Sequence, residues 1–322
     1  MLALGVLMEP RNTKRFLMWF ATLYTGITLV AMKGKVGKAM GFLNCVSMAL
    51  LPPGDGAVVR FIYGMASVMR VLRATEMLWT PSFFEERGVA FSLKFAFLYH
   101  DLRKATPLAN DDVALSEAIV HTRRSLAALV GSIAALHALP DRAPAVLRFV
   151  LGALRSWAVL AFVEACYALH LAAFGIQSPV CFDKPLESRT LAEFWNSRWN
   201  LAIKSQLSNV FYKPFAEMGH KAVGQWCTFV ASAALHICPF LYLGGSRQAI
   251  LKTAAFFVAQ PTLMLVESKL KLSGPGWISA CFFGTAPLFI GPLCSFFASL
   301  SLLRSVHGLT RRGSRTVEIF PV

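Results

Sequence analysis

Charged side chains are scarce in this 322-residue sequence. Asp, Glu, Lys and Arg together make up 15% of it, against about a quarter in ordinary soluble domains. Hydrophobic residues make up 56% and the mean hydropathy is +0.54, which exceeds the roughly half that is typical of soluble proteins. The composition therefore argues against a soluble protein and predicts an integral membrane protein.

Acidic residues are the rarer charges, with 17 Asp and Glu against 32 Lys and Arg. In a soluble protein a net charge of +15 would suggest nucleic acid as a partner. Here the basic residues lie between apolar runs, as Arg103-Lys104 and Arg123-Arg124 do. We therefore predict no nucleic-acid partner, but loop charges that set the membrane topology and contact anionic lipid headgroups.

The seven cysteines contain no Cys-x-x-Cys pair and lie mostly in apolar stretches. Such thiols behave as small hydrophobic side chains, so the sequence predicts neither a disulfide framework nor a metal site. The first eight residues lack a basic segment and are too short for a secretory signal. The apolar run 16–32 is predicted to act as an uncleaved membrane anchor.

Uncharged runs recur along the chain without an internal repeat. A helix needs about 20 apolar residues to cross the hydrocarbon core, where the backbone must satisfy its own hydrogen bonds. We predict an all-α fold: one domain, residues 1–322, forming a polytopic membrane bundle of about eight transmembrane helices (roughly seven to nine). Segment 101–124 is predicted to be a polar connection that includes one interfacial helix. The clear candidate spans are 16–32, 156–182, 222–246 and 277–303, and the weaker ones are 39–51, 61–77, 125–139 and 253–266.

Residues 183–221 mix charged and aromatic side chains, which suits a membrane interface; their basic charge predicts a cytosolic position. Thr190-Leu191-Ala192-Glu193 has the pattern of a capping box, in which Thr and Glu side chains bind amides at a helix start. A helix continuing from there would place Asn196 and Asn200 on one face and Trp195 and Trp199 on the neighbouring face.

A motif inside this segment carries the functional signal. Residues 188–200 read Ser-Arg-Thr-Leu-Ala-Glu-Phe-Trp-Asn-Ser-Arg-Trp-Asn, and Val-Phe-Tyr-Lys-Pro follows at 210–214. The pair resembles the signature of the wax synthase branch of the membrane-bound O-acyltransferases, which typically reads Ser-Leu-x-x-Phe-Trp-Gly-Arg-Arg-Trp-Asn with Val-Tyr-x-Pro downstream. That family also has a histidine late in an apolar helix, four residues after a serine, and Ser232 and His236 are similar to this element.

The resemblance covers the signature region 183–245, with two departures. Asn196-Ser197 replaces the usual Gly-Arg, and Ile237 stands where the family commonly has glutamate. The resemblance implies transfer of a fatty acyl group from acyl-CoA, the co-substrate, to the hydroxyl of a lipid alcohol. It implies no bound cofactor and a multi-pass protein of the endoplasmic reticulum. The departures leave the acceptor open: a long-chain fatty alcohol is favoured, and a sterol, a diacylglycerol or a terpenoid alcohol are the alternatives.

The resemblance assigns His236 and Asn200 as the catalytic pair. A histidine can serve as general base for a hydroxyl, and burial in an apolar helix favours its neutral form. An asparagine amide can stabilise charge on the thioester oxygen or orient the acceptor.

Four further residues are predicted to contact substrate. Arg198 suits the phosphates of coenzyme A, and Trp195 and Trp199 could line the thioester or adenine region, or anchor the helix at the interface. Ser232 is expected to orient the histidine rather than act as a nucleophile.

Two hypotheses from other functional classes remain open. A transporter or channel could use His236 for protons or ligand, although it would predict inverted halves that the sequence does not show. A catalytically inactive interaction protein is the other, and the intact Asn200 and His236 weigh against it. The oligomeric state is not predicted.

Overall fold

A computed structural model of the chain describes residues 10–32, 34–51, 57–97, 106–107, 111–140, 143–173 and 175–299. These residues are helical apart from loops and one two-residue antiparallel ladder, in which β1 (Thr106–Pro107) pairs with β2 (Ile176–Gln177). The prediction of an all-α fold is confirmed. The α-helices are α1 (Pro10–Ala31), α2 (Lys35–Leu50), α3 (Ala57–Trp79), α4 (Pro81–Phe97), α5 (Asp111–Ala138), α6 (Ala145–Ala172), α7 (Leu191–Glu193), α8 (Leu201–Leu207), α9 (Lys213–Glu217), α10 (Lys221–Leu243), α11 (Arg247–Leu270) and α12 (Pro275–Ser299).

Three helical stretches of the described chain are long and apolar enough to cross a membrane: Val146–Ala172, Lys221–Leu243 and Arg247–Leu270. They support an integral membrane protein, but the predicted count of about eight spans is not confirmed. The predicted span 222–246 corresponds closely to α10, and the weaker candidate 253–266 lies inside the longer α11.

One helix ends earlier than the sequence predicts. The span predicted at 156–182 is α6, which ends at Ala172; Gly175 then adopts a positive φ of 67° and the chain becomes extended. The stretch 101–124, predicted as a polar connection that includes one interfacial helix, is helical from Asp111 onward, and the interfacial position of this helix stays a prediction. This helix, α5, packs against α6.

Sequential helices pair as antiparallel neighbours, most extensively α5 with α6, α1 with α2 and α10 with α11. The hairpin of α10 and α11 turns at Gly244, which has the left-handed φ of 69° typical of a helix C-terminus. Helix α10 also packs against α3, where Leu235 meets Leu72 and Leu207. Helix α10 therefore lies between α3 and α11, and the segment before it contacts both.

Candidate active site

His236 lies on α10, where it is half-buried among aromatic rings of the two following helices. Its imidazole stacks on Phe257 of α11, with 4.3 Å between ring centroids and an interplanar angle of 29°. Phe289 of α12 packs edge-on at 5.4 Å. The two phenylalanines fix the plane of the imidazole and shield it from water.

The hydrogen bond of His236 determines which ring nitrogen can act as a base. Nδ1 lies 2.8 Å from the backbone carbonyl oxygen of Ser232. A carbonyl oxygen can only accept, so Nδ1 carries the proton in this bond. The neutral imidazole then has its lone pair on Nε2. The contact to Ser232 is thus made by the serine's carbonyl, and the predicted role of its side chain in substrate binding stays a prediction.

The signature segment, residues 188–214, does not form the single helix predicted from its capping box. Helix α7 passes directly into a π-helical turn over Phe194–Arg198, Trp199 is extended, and Asn200 adopts a left-handed conformation before α8 begins. Asn196 is exposed whereas Asn200 is half-buried, so the prediction of a shared face is wrong. That prediction assumed that residues four apart share a face of a regular α-helix. The wider π-helical turn and the extended backbone at Trp199 remove this relation.

Asn200 is the N-cap of α8. Its φ of 41° and ψ of 56° lie in the left-handed region, which asparagine tolerates better than most residues. Its Oδ1 accepts a hydrogen bond from the amide of Ile203 at 3.4 Å, and Ile203 packs against the cluster that contains Leu235, the neighbour of His236. The carbonyl oxygen Oδ1 can only accept, so any hydrogen bond that this side chain donates to a substrate comes from Nδ2.

Arg198 is held inside the signature segment by Glu193. Its Nε and Nη2 lie 2.8 and 2.7 Å from Oε1 of Glu193, and its Nη1 donates to the carbonyl of Asp183 at 3.3 Å. Five residues separate this pair, which is unfavourable in an α-helix, but the π-helical turn brings residues five apart together. The predicted contact of Arg198 with coenzyme A stays a prediction, and the observed contacts give this arginine a structural role.

Glu193 itself makes the reciprocal bonds of the predicted cap. Its amide donates to Oγ1 of Thr190 at 3.0 Å, and its carboxylate accepts from the amide of Arg189 at 2.8 Å, one residue before the position expected in a capping box. The amide of Arg189, and next the guanidinium of Arg198, lower the pKa of the Glu193 carboxyl. The carboxylate therefore stays charged well into acid.

The two tryptophans of the motif point into different surroundings. Trp195 meets Phe229, Phe256 and Phe257 at centroid distances of 5.7, 6.3 and 6.5 Å, so it shares Phe257 with His236. Trp199 lies 6.5 Å from Trp195 but turns toward α6, where it meets Trp157 at 5.7 Å. Of the predicted site residues, Trp195 and His236 thus both contact the ring of Phe257. Trp199 contacts Trp195 and lies one ring further from His236.

Helix α11 binds the signature segment through two buried polar residues that the sequence reasoning did not identify. Gln260 is 0% exposed and its Oε1 accepts from Nε1 of Trp195 at 3.2 Å. Glu267 accepts from the amides of Leu191 and Ala192 at 2.6 and 3.2 Å, and from Nε1 of Trp277 at 2.7 Å. These residues anchor the start of the signature segment to α11. Two polar residues seven positions apart, and so two turns apart on one face of an apolar helix, were the available signal.

A second anchor holds the end of the segment to α3. Nδ2 of Asn209, in the π-helical turn Ser208–Tyr212, donates to Oε1 of Glu76 at 2.5 Å. Oε2 of Glu76 pairs with Nη1 of Arg73 at 3.1 Å, and both side chains are 1% exposed. The segment is therefore fixed by buried carboxylates at both ends, one from α11 and one from α3.

Among the described residues, one groove is lined by residues of α5 alone and a second lies between α5 and α6. The more apolar one includes Leu151, Leu154 and Trp157 in its lining, and Trp157 contacts Trp199. This groove therefore reaches the signature segment at Trp199.

Comparisons with known proteins point to one chemistry. A 97-residue stretch is 31% identical to a protein of Arabidopsis thaliana named acyl-CoA–sterol O-acyltransferase 1. That match covers 28% of this chain and 28% of the relative, so the chain spans less than a third of the relative's length in it. Neither comparison singles out the wax synthase branch. Residues 178–259, which contain the signature segment, His236 and Phe257, match the sequence model of the membrane bound O-acyl transferase family, and this match supports the assignment of the chain to that family.

Proposed function

We propose that the protein transfers a fatty acyl group from acyl-CoA to the hydroxyl of a lipid alcohol, a long-chain fatty alcohol in the first instance, to give a wax ester. The observation that carries the proposal is the orientation of His236, whose Nδ1–H is held by the carbonyl of Ser232. That bond leaves Nε2 as the basic nitrogen. The match to the acyltransferase family supplies the reaction class.

In the proposed reaction, Nε2 of His236 removes the proton of the acceptor hydroxyl as its oxygen attacks the thioester carbon. The carbon–sulfur bond of the tetrahedral intermediate then breaks, and the proton passes from Nε2 to the leaving sulfur of coenzyme A. The products are the ester and free coenzyme A. A positioned general base contributes about a hundred- to ten-thousandfold in rate, and the rings of Phe257 and Phe289 keep the imidazole from turning.

Asn200 would act as a hydrogen-bond donor. Its Oδ1 faces the amide of Ile203, so the amide nitrogen Nδ2 is the atom that can approach the thioester oxygen as charge develops there. We propose that basic side chains near Arg198, among them Lys184, which is 70% exposed in its side chain, meet the phosphates of coenzyme A on the cytosolic side of the endoplasmic reticulum membrane.

The test is expression in cells that lack neutral-lipid synthesis, followed by assay of their membranes with labelled acyl-CoA and, in parallel, a fatty alcohol, a sterol or a diacylglycerol. We expect His236→Ala to abolish ester formation and His170→Ala, a matched change in α6, to retain it. Ester formation that survives His236→Ala would refute the mechanism. A preference for sterol would indicate that the acceptor is a sterol, as the name of the Arabidopsis relative states for that protein. No ester with any alcohol, together with transport activity, would favour a transporter.

Asn200→Asp and Asn200→Ala separate the two roles of that side chain. Aspartate keeps an oxygen that can cap α8 and tolerates the left-handed backbone, but it lacks the Nδ2 donor. We expect both variants to lose turnover, and only the alanine variant to lose stability as well, by about 1 kcal/mol for a lost cap. Full activity in Asn200→Asp would exclude donation by Nδ2.

A further inference from the structure

Thr253 of α11 carries a hydroxyl that the fold does not use. Its side chain is 0% exposed, and among the residues described by the structure its Oγ1 has no hydrogen-bond partner. Leaving a hydroxyl buried and unpaired costs about 1–3 kcal/mol. A buried polar group of this kind calls for an explanation, and a bound substrate is one that the position supports.

Eight other threonines of the described helices behave differently. Their hydroxyls donate to the carbonyl four residues earlier, which is the usual way to satisfy a hydroxyl in a helix. Thr253 does not make this bond, so its hydroxyl remains available for another acceptor. The threonines that bond backward in this way include Thr22, Thr25, Thr28, Thr75, Thr122, Thr228, Thr262 and Thr285.

The position of Thr253 is set by the antiparallel pairing of α10 and α11. Gln225 meets Met264, and His236 meets Phe257. Thr253 lies four residues before Phe257, about 6 Å along the axis and on the same face of the helix. It therefore lies on the face of α11 that packs against α10, opposite the turn of α10 that begins at His236.

We propose that the Thr253 hydroxyl donates a hydrogen bond to the carbonyl oxygen of the acyl thioester, beside His236. This inference rests on the proposed acyl transfer. In that reaction His236 takes the proton of the acceptor, so the group that gains negative charge and needs a donor is the thioester oxygen. Burial keeps water from competing for the hydroxyl, which strengthens a bond to a developing charge.

The test compares Thr253→Val, which removes the hydroxyl at nearly constant shape, with Thr253→Ser, which retains it. Thr228→Val is the matched control, because that hydroxyl on α10 is satisfied by the carbonyl of Gly224. For each purified variant in detergent, kcat, the KM for acyl-CoA and the thermal midpoint are measured. We expect Thr253→Val to lower kcat about a hundredfold, as the loss of an oxyanion donor does, with an unchanged or higher thermal midpoint.

Thr253→Ser and Thr228→Val should stay close to the parent in kcat. A kcat of Thr253→Val within about threefold of the parent, or a loss that serine does not restore, would overturn the inference. If the parent is active, His236→Ala is inactive and Thr253→Val is active, the inference about Thr253 fails and the proposed function stands. If the parent forms no ester with any alcohol, both fail.

Discussion

Replacing Glu267 tests whether the signature segment depends on its anchor to α11. The carboxylate is 5% exposed and accepts three hydrogen bonds, from the amides of Leu191 and Ala192 and from the indole of Trp277. Two of the three bonds, at 2.6 and 2.7 Å, are received by Oε2. Such short bonds to an ionised acceptor are the stronger kind.

The expected magnitude follows from the number of acceptors that each variant keeps. Glu267→Ala leaves one buried and two half-buried N–H groups without their acceptor, which should cost about 3 kcal/mol in total at about 1–3 kcal/mol for a buried group and less for the others. Glu267→Gln can keep an oxygen in the Oε2 position, but it turns an NH₂ toward the amide of Ala192, so we expect a loss of about 1–3 kcal/mol. Glu217→Gln, on an exposed side chain, is the control and should stay within about 0.5 kcal/mol of the parent.

The free energy of unfolding would be measured by guanidinium titration in detergent micelles, followed by tryptophan fluorescence. A double-mutant cycle with Trp277→Phe isolates the bond between Oε2 and the indole; for residues in contact we expect a coupling energy of about 0.5–3 kcal/mol. If Glu267→Ala unfolds at the same denaturant concentration as the parent, the anchor does not stabilise the fold and the reasoning from burial is wrong.

Two further predictions concern the same segment. The pKa of Glu193 is lower in the folded protein than in the unfolded chain, so its stabilising effect is present above its unfolded pKa of about 4.3 and is lost as the pH falls through the lower folded value. The thermal midpoint of Glu193→Gln should therefore lie below the parent's at about pH 7 and converge with it in acid. A difference between the two midpoints that stays constant with pH would contradict this. Gly224→Ala should lower stability by about 1–3 kcal/mol, because its Cβ would lie 2.7 Å from the carbonyl oxygen of Tyr212. Gly131→Ala, where nothing lies within 4 Å, should be neutral or stabilising by up to about 1 kcal/mol, and equal effects of the two changes would refute the close approach.

Helix α10 and the place of His236 on it could be predicted from the sequence, because a long apolar run bounded by Lys221 and Gly244 has few alternatives to a helix. The same reasoning failed at 156–182, since apolar residues continue past Ala172 although the helix does not. Composition sets where apolar surface is available, while the ends of helices depend on local turns.

The interior of the signature segment could not be predicted from spacing. The expectation of one face for Asn196 and Asn200 assumed a regular helix, and nothing in the residue types announces a π-helical turn followed by a left-handed asparagine. The pairing of Arg198 with Glu193 depends on that turn. The anchors were equally hidden, because the partners Leu191 and Glu267 are 76 residues apart.

The anchors have a consequence for how His236 and Asn200 could be aligned. His236 is carried by α10, but the segment that bears Asn200 is attached to α11 through Glu267 and to α3 through Glu76. The relative position of the two predicted catalytic residues is therefore set by the packing of α10 between its two neighbours rather than by the 36 residues of chain that join them. The imidazole stacks on Phe257 of α11, and Gln260 of the same helix binds Trp195. A small shift of α10 against α11 would therefore move the imidazole relative to both Trp195 and Asn200. Catalysis in such a site should thus be more sensitive to changes at the interface of α10 and α11 than to changes within the loop between α9 and α10.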